Sequence, residues 1–164
     1  RTDGTLDLAE DCLAELDLVV ASVHSGFGQD EAQMTDRILR AIECPVVDVI
    51  GHPTGRLLLR RDPYQIDIER LCHAAARTGV AMEVNSQLNR LDLSDSHARL
   101  ALTSGVKLMI STDAHAPAGF DLLRWGVTIA RRAWAEPNDV LNTQPLETFQ
   151  ASLRRNRNGR SVSL

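Results

Sequence analysis

The sequence predicts an α/β domain in which parallel strands alternate with helices. Short β-branched apolar runs alternate along the chain with segments of helical spacing, and the connections between them are short. This order gives a parallel sheet with right-handed crossovers. The chain has 164 residues, of which 43% are hydrophobic, so residues 1–164 are predicted to form a single domain with one core. A complete eight-unit barrel takes typically ~250 residues, and the strands found here amount to about half of one.

The strands are predicted from short buried apolar runs, which cover 18–23, 46–50, 80–84 and 106–111. Helical spacing of apolar residues predicts helices over 32–42, 66–77, 94–103 and 120–134, followed by two helical pieces over 138–141 and 145–155. Gly79 is a candidate C-cap and Ser94 a candidate N-cap of these helices.

The charge of the chain restricts its partners. A formal net charge of −4 argues against broad electrostatic adhesion to nucleic acid or to anionic lipid, so contact with phosphates has to be local. Two arginine clusters offer such contacts: Arg56, Arg60 and Arg61 in one loop, and Arg154, Arg155, Arg157 and Arg160 near the end. The second cluster is interpreted as a solvated helix end followed by a frayed tail.

Cysteine usage and hydropathy indicate a cytoplasmic protein. Three widely spaced cysteines without a CxxC motif, Cys12, Cys44 and Cys72, suit free thiols in a reducing compartment. No apolar run approaches the ~20 residues of a transmembrane helix, and the first residues do not form a signal peptide. Since the sequence lacks an initiator methionine, we expect that it was cut from a longer protein.

Polar residues follow each predicted strand at its carboxyl end. They are His24 after the first strand, His52 after the second, Glu83 and Asn85 at the end of the third, and Asp113 and His115 after the fourth. Because the carboxyl ends of parallel strands meet at one edge, where active sites of such folds lie, these residues are predicted to form one site.

The residue types at this edge suit a metal-dependent hydrolase. Neutral imidazoles and carboxylates bind zinc, manganese or iron. Asp113 and His115 point to the same side if their segment is extended. Clustered metals generate a hydroxide nucleophile and hold both oxygens of a phosphoryl displacement. The predicted metal ligands and catalytic residues are therefore His24, His52, Asp113 and His115.

Simpler interpretations remain for single residues. His73 and His97 lie within predicted helices without a partner at ligand spacing, and both are interpreted as structural. Glu83 has a structural ion pair with Arg90 as an alternative to a site role, and Asp113 has a turn-forming role as its alternative. No dinucleotide fingerprint, P-loop, HExxH or GxSxG motif occurs, and no nucleophile elbow surrounds Ser25, which argues against a serine hydrolase.

Four segments resemble the motifs of PHP (polymerase and histidinol phosphatase) domains, and most closely those of bacterial family-X DNA polymerases. They are VASVHSGF at 20–27, GHPTGR at 51–56, EVN at 83–85 with NRLDL at 89–93, and STDAH at 111–115. Later segments resemble the closing part of the family-X version, namely WGV at 125–127, ARR at 130–132 and VLNT at 140–143.

The resemblance implies that the chain is the C-terminal portion of a distorted (β/α)7 TIM-like barrel. In such a domain, two or three divalent metals (Zn, Mn or Fe) lie at the C-terminal rim, and the predicted ligands match its metal-binding residues. Glu83 and Asn85 match a site-lining segment. Arg56, in the matched GHPTGR segment, is expected to meet substrate phosphate, because its fork of donors suits a phosphate group. The family opens with a His-x-His pair, whereas His24 is the first histidine here. We therefore expect that pair, three strands and a polymerase domain before Arg1.

The resemblance also implies a function. The leading hypothesis is metal-dependent 3′–5′ exonuclease or 3′-phosphatase action on DNA 3′ ends, reached through the polymerase domain. The alternatives are a histidinol-phosphatase-like hydrolase of small phosphate monoesters, which the net charge of −4 favours, and an inactive structural fragment. The sequence leaves the oligomeric state and the identity of the metal open.

Overall fold

A four-stranded parallel sheet organises the molecule. The structure, a computed structural model, describes residues 1–153. Its strands lie side by side in the order β1-β2-β3-β4, and they are β1 Val20–Ala21, β2 Val49–Ile50, β3 Ala81–Asn85 and β4 Leu108–Ser111. The helices are α1 Glu10–Ala14, α2 Glu31–Glu43, α3 Ile68–Thr78, α4 Asp95–Thr103, α5 Leu123–Arg132 and α6 Leu146–Ser152. The predicted α/β class is confirmed, and the alternation of strands and helices is compatible with part of a TIM-like barrel.

Local sequence signals set the ends of several helices. Asp30 and Gln33 form a reciprocal capping box at the start of α2. The predicted caps are confirmed: the Ser94 hydroxyl accepts a hydrogen bond from the His97 amide, and Gly79 ends α3 with a φ of 73°. That left-handed conformation costs glycine little because it has no Cβ.

The core lies between the helices and the sheet. α2 contributes Met34, Ile38 and Ile42, while β3 is buried along its whole length, as expected for a central parallel strand. α5 approaches the sheet closely at Gly126, where a Cβ would lie 2.1 Å from Ser86 Oγ. A larger residue at this position would require Ser86, Ile110 or the helix itself to shift.

The first two strands are shorter than the sequence predicts. A buried carboxylate interrupts the regular ladder, since the Val19 amide donates to Asp48 Oδ2 at 3.0 Å and the Asp48 amide donates to the Val19 carbonyl at 3.0 Å. The neighbouring apolar residues are buried all the same. Apolar runs therefore located the strands, but they overestimated the length of the hydrogen-bonded ladder.

Two other sequence predictions need correction. The helix predicted over 120–134 is confirmed over Leu123–Arg132 (α5), but its first residues belong to a 3₁₀ helix over Pro117–Leu122, which Pro117 starts. The short helix α1 was not predicted. The helical piece predicted over 138–141 consists of two 3₁₀ turns, Pro137–Asp139 and Leu141–Thr143. The second arginine cluster (Arg154, Arg155, Arg157 and Arg160) and the end of the piece predicted over 145–155 lie outside the described residues.

Within residues 1–153, no helix combines the length and the apolar character that crossing a membrane requires.

Candidate active site

The predicted site residues follow the carboxyl ends of adjacent strands. In the sheet, Ala21 pairs with Ile50, Ile50 with Met82, and Asn85 with Ser111. The segments that leave these ends carry His24, His52 and Asp113, and β3 itself carries Glu83 and Asn85. The sheet therefore brings residues that are far apart in sequence to one rim.

His24 and His52 lie against each other at this rim. Their ring centroids are 5.2 Å apart and the rings are nearly perpendicular, at 88°. His24 is exposed, and its Nε2 lies 2.7 Å from the hydroxyl of Ser22. His52 is only 4% exposed. One imidazole thus faces solvent while the other is enclosed.

The imidazole of His52 is held neutral and without a hydrogen bond at Nδ1. Burial, followed by the positive charges of Arg90 and His24, lowers the pKa of His52 from 6.5 to about 4. Its Nδ1 is buried and has no hydrogen-bond partner in the described part of the chain, residues 1–153. A neutral, desolvated imidazole nitrogen is the form that ligates a metal, and leaving such an atom without a partner costs free energy.

Glu83 is the hydrogen-bonding centre of the rim. Its Oε2 accepts from the His52 amide at 2.5 Å and from Asn85 Nδ2 at 3.3 Å, and its Oε1 accepts from the Ser111 hydroxyl. Burial raises the pKa of Glu83. The alternative ion pair with Arg90 is absent from the ion pairs of residues 1–153. Glu83 therefore joins three strand ends through neutral donors.

Asp113 and His115 lie on the exposed loop after β4. His115 Nδ1 lies 2.7 Å from the Asp113 carbonyl oxygen, and Gln87 braces the loop by donating to the Thr112 carbonyl at 2.6 Å. The carboxylate of Asp113 acts on His52, whose pKa it raises against the larger opposing effects. Asp113 thus shares the electrostatic environment of the buried histidine.

Two of the predicted ligands have left-handed backbones. The φ angles are 30° at His52 and 47° at Asp113. Residues other than glycine rarely adopt this conformation, and those that do are concentrated at functional sites, where the surrounding structure holds them in place.

Arg56 is oriented by the neighbouring loop. Its Nε donates to the Arg90 carbonyl at 2.8 Å and its Nη2 donates to the Leu91 carbonyl. Two of its three nitrogens therefore donate to the protein backbone, and a phosphate contact of Arg56 would be made by Nη1.

Asn85 is completely buried, and its Oδ1 accepts a hydrogen bond from the Gln87 amide at 3.0 Å.

Asp92 and Arg90 are site residues that were not predicted as such from residue patterns. Asp92 is completely buried, its Oδ2 accepts from the Thr54 amide at 3.0 Å, and its Oδ1 has no partner. Burial raises the pKa of Asp92 from 3.8 to about 6. Both residues lie in a loop without a periodic hydrophobic pattern. The only sequence signal at these positions is the resemblance of the NRLDL segment at 89–93 to a family motif.

The pKa of Asp92 predicts how stability depends on pH. Since the folded state binds this proton more tightly than the unfolded chain, Asp92 stabilises the fold at low pH and this contribution is lost as pH rises from about 4 to about 6. Asp92→Asn removes the effect, so its stability relative to the parent chain should rise by about 3 kcal/mol over this window. Urea unfolding at pH 4, 5, 6 and 7 measures the difference, with the exposed Asp62→Asn as control. Parallel pH profiles for Asp92→Asn and the parent chain would contradict the prediction.

The residues present fit a metal in part. His24 and His52 form a pair of imidazoles. Within residues 1–153, the buried Nδ1 of His52 has no hydrogen-bond partner. In the stretch from residue 1 to residue 153, however, no group of three or more His, Cys, Asp and Glu side chains is placed to hold a metal ion. The arrangement is therefore a pair of imidazoles with the carboxylate of Asp113 within electrostatic range of His52, and it is not a closed coordination sphere.

Comparison with known proteins finds similarity to a DNA polymerase/3′-5′ exonuclease and to probable phosphatases. No family model matches the chain. It is 46% identical over 154 residues to the DNA polymerase/3′-5′ exonuclease PolX of Bacillus subtilis (strain 168), a match that covers 94% of this chain and 27% of that protein. It is 34% identical over 152 residues to a probable phosphatase of Thermoanaerobacter sp. (strain X514), covering 86% of this chain and 59% of the relative.

A probable phosphatase of Shewanella sp. (strain ANA-3) is 32% identical over 130 residues, covering 73% of this chain and 49% of the relative. The chain thus spans only a part of each of these proteins, from 27% of the PolX relative to 59% of the Thermoanaerobacter phosphatase.

Proposed function

We propose that the chain is the C-terminal part of a PHP-type, metal-dependent phosphoesterase domain. The observation that carries the proposal is the His24–His52 pair, in which a neutral, buried imidazole nitrogen has no partner among residues 1–153. The similarity to an exonuclease and to probable phosphatases over most of this chain supports a phosphoester as the substrate.

The side chains of the rim have different roles in the proposed reaction. His24, His52, Asp113 and His115 would hold Zn, Mn or Fe, which supply Lewis-acid activation of water and of the phosphoryl group. Glu83 fixes the backbone of His52, and with it the position of the imidazole. Asn85 holds the turn that leads to Gln87 and the Asp113 loop. Arg56 would offer Nη1 to a phosphate oxygen, where a positive charge stabilises the charge that develops during the reaction.

The proposed substrate is a DNA 3′ end, through 3′–5′ exonuclease or 3′-phosphatase action within a family-X polymerase. The 46% identity to PolX supports this choice. A histidinol-phosphatase-like hydrolase of small phosphate monoesters is the second candidate, because the other relatives are named as probable phosphatases and the net charge of −4 provides no broad attraction for DNA.

Hydrolysis assays on the natural protein that contains this sequence test the proposal. We expect turnover that requires manganese or zinc and that falls by at least ~10²-fold in Asp113→Ala, with the surface variant Asp36→Ala unaffected. Degradation of single-stranded DNA that exceeds turnover of p-nitrophenyl phosphate supports the DNA 3′ end, and the reverse preference supports a small monoester. Full activity in excess chelator would refute metal dependence, and absence of hydrolysis on both substrates would leave the domain a structural module.

A further inference from the structure

The 85–92 loop is fastened to the loop that carries His52. The Leu58 amide donates to the Asn89 carbonyl at 2.7 Å. Arg56 Nε donates to the Arg90 carbonyl at 2.8 Å, and the Thr54 amide donates to Asp92 Oδ2 at 3.0 Å. These hydrogen bonds fix the backbone of Arg90 beside the rim, so its side chain starts from a defined position.

The guanidinium of Arg90 has a buried nitrogen without a partner among the described residues. Its Nη1 makes no hydrogen bond within residues 1–153. None of the ion pairs formed by residues 1–153 includes Arg90. A buried guanidinium nitrogen without an acceptor is costly, and planar, forked guanidinium donors match phosphate oxygens.

The positive charge of Arg90 acts on the interior of the site. It is the largest charge effect among those that lower the pKa of His52, and it also acts on the buried hydroxyl of Tyr64. Tyr64 donates to the carbonyl of Pro53, the residue after His52. The guanidinium therefore lies within electrostatic reach of the His52 imidazole.

We propose that Arg90 binds an oxygen of the substrate phosphate beside His52, and that Arg56 holds the loop that presents it. The inference rests on the proposed function for the identity of the substrate as a phosphoester. It assigns to the 85–92 loop a second phosphate contact, in addition to the one proposed for Arg56 Nη1. The phosphate oxygen provides the acceptor that the buried nitrogen lacks.

Calorimetric titration of the purified chain with inorganic phosphate, in chelator and without metal, tests this role. We expect millimolar or tighter binding that weakens by about tenfold or more in Arg90→Gln. Arg90→Lys, which keeps the charge but loses the fork, should weaken binding less. The matched control is Arg70→Gln, which removes an exposed arginine of α3 that pairs only with the surface residue Asp36 and should bind phosphate as the parent chain does.

The outcomes separate this inference from the proposed function. No phosphate binding by the parent chain, or equal binding by Arg90→Gln and Arg70→Gln, overturns the role of Arg90. If Arg90→Gln does not fold, as judged by its thermal transition, Arg90→Lys decides: unchanged affinity overturns the inference, and reduced affinity supports it. Because the titration involves neither metal nor turnover, a chain that binds phosphate through Arg90 but whose natural protein hydrolyses nothing contradicts the proposed function alone.

Discussion

Replacing His52 by alanine should remove bound metal from the chain while leaving the metal-free protein almost as stable as before. The proposed ligand atom of His52 is Nδ1, which makes no hydrogen bond within residues 1–153. Since loss of groups that merely orient metal ligands costs 10–100-fold in affinity, loss of a ligand should cost more than ~10²-fold. In chelator, the lost packing of the imidazole lowers the free energy of unfolding, whereas removal of a buried nitrogen without a partner raises it. The net change in the free energy of unfolding should therefore stay below about 2 kcal/mol.

Elemental analysis of the purified chain and urea unfolding with and without chelator measure these two effects. His73→Ala is the matched control, because His73 is an exposed histidine of α3 and should retain both metal and stability. A structural histidine would give the opposite pattern at position 52, namely a large loss of stability in chelator with no change in metal content. A folded parent chain without any bound zinc, manganese or iron would show that His24 and His52 do not suffice to hold the metal.

Residue patterns predicted that His24 and His52 lie close together because two constraints act together at the rim. Apolar runs located the strands, and parallel pairing then placed the residues that follow them at one edge. His24 and His52 are separated along the chain by α2 and β2, and their proximity followed from this topology alone. The sequence could not indicate which imidazole would be buried, because burial depends on how Arg90 and the loops pack around the rim.

The hydrogen-bonding role of Glu83 was beyond the reach of the sequence. A carboxylate in a buried strand was expected either to pair with a cation such as Arg90 or to line a site. Its partners are instead the His52 amide, the Asn85 amide group and the Ser111 hydroxyl. The residue pattern does not show which backbone amide a side chain will bind. The hydrogen bond from the His52 amide to a side chain of a neighbouring strand can therefore be seen only in the three-dimensional structure. For the same reason, the hydrogen bond from the Thr54 amide to Asp92 could not be predicted from the sequence.

Replacing Glu83 by alanine should be the most destabilising single change at the rim. The substitution leaves the His52 amide, Asn85 Nδ2 and the Ser111 hydroxyl without their acceptor in a buried place. Each buried donor without a partner costs about 1–3 kcal/mol, and relief of the buried carboxylate offsets part of the sum. We therefore expect a loss of about 3 kcal/mol or more in the free energy of unfolding, measured by urea denaturation in chelator.

Glu83→Gln separates loss of the acceptor from loss of volume. The amide keeps one oxygen for a donor but turns an NH₂ group toward another, so this variant should lose about half as much stability as Glu83→Ala. Glu69→Ala, at an exposed position in the first turn of α3, should stay within about 0.5 kcal/mol of the parent chain. Because Glu83 anchors the backbone of His52, metal affinity should fall in the same order as stability. Loss of stability without loss of metal affinity would mean that the His52 loop keeps its position by other contacts, and that Glu83 supports the sheet alone.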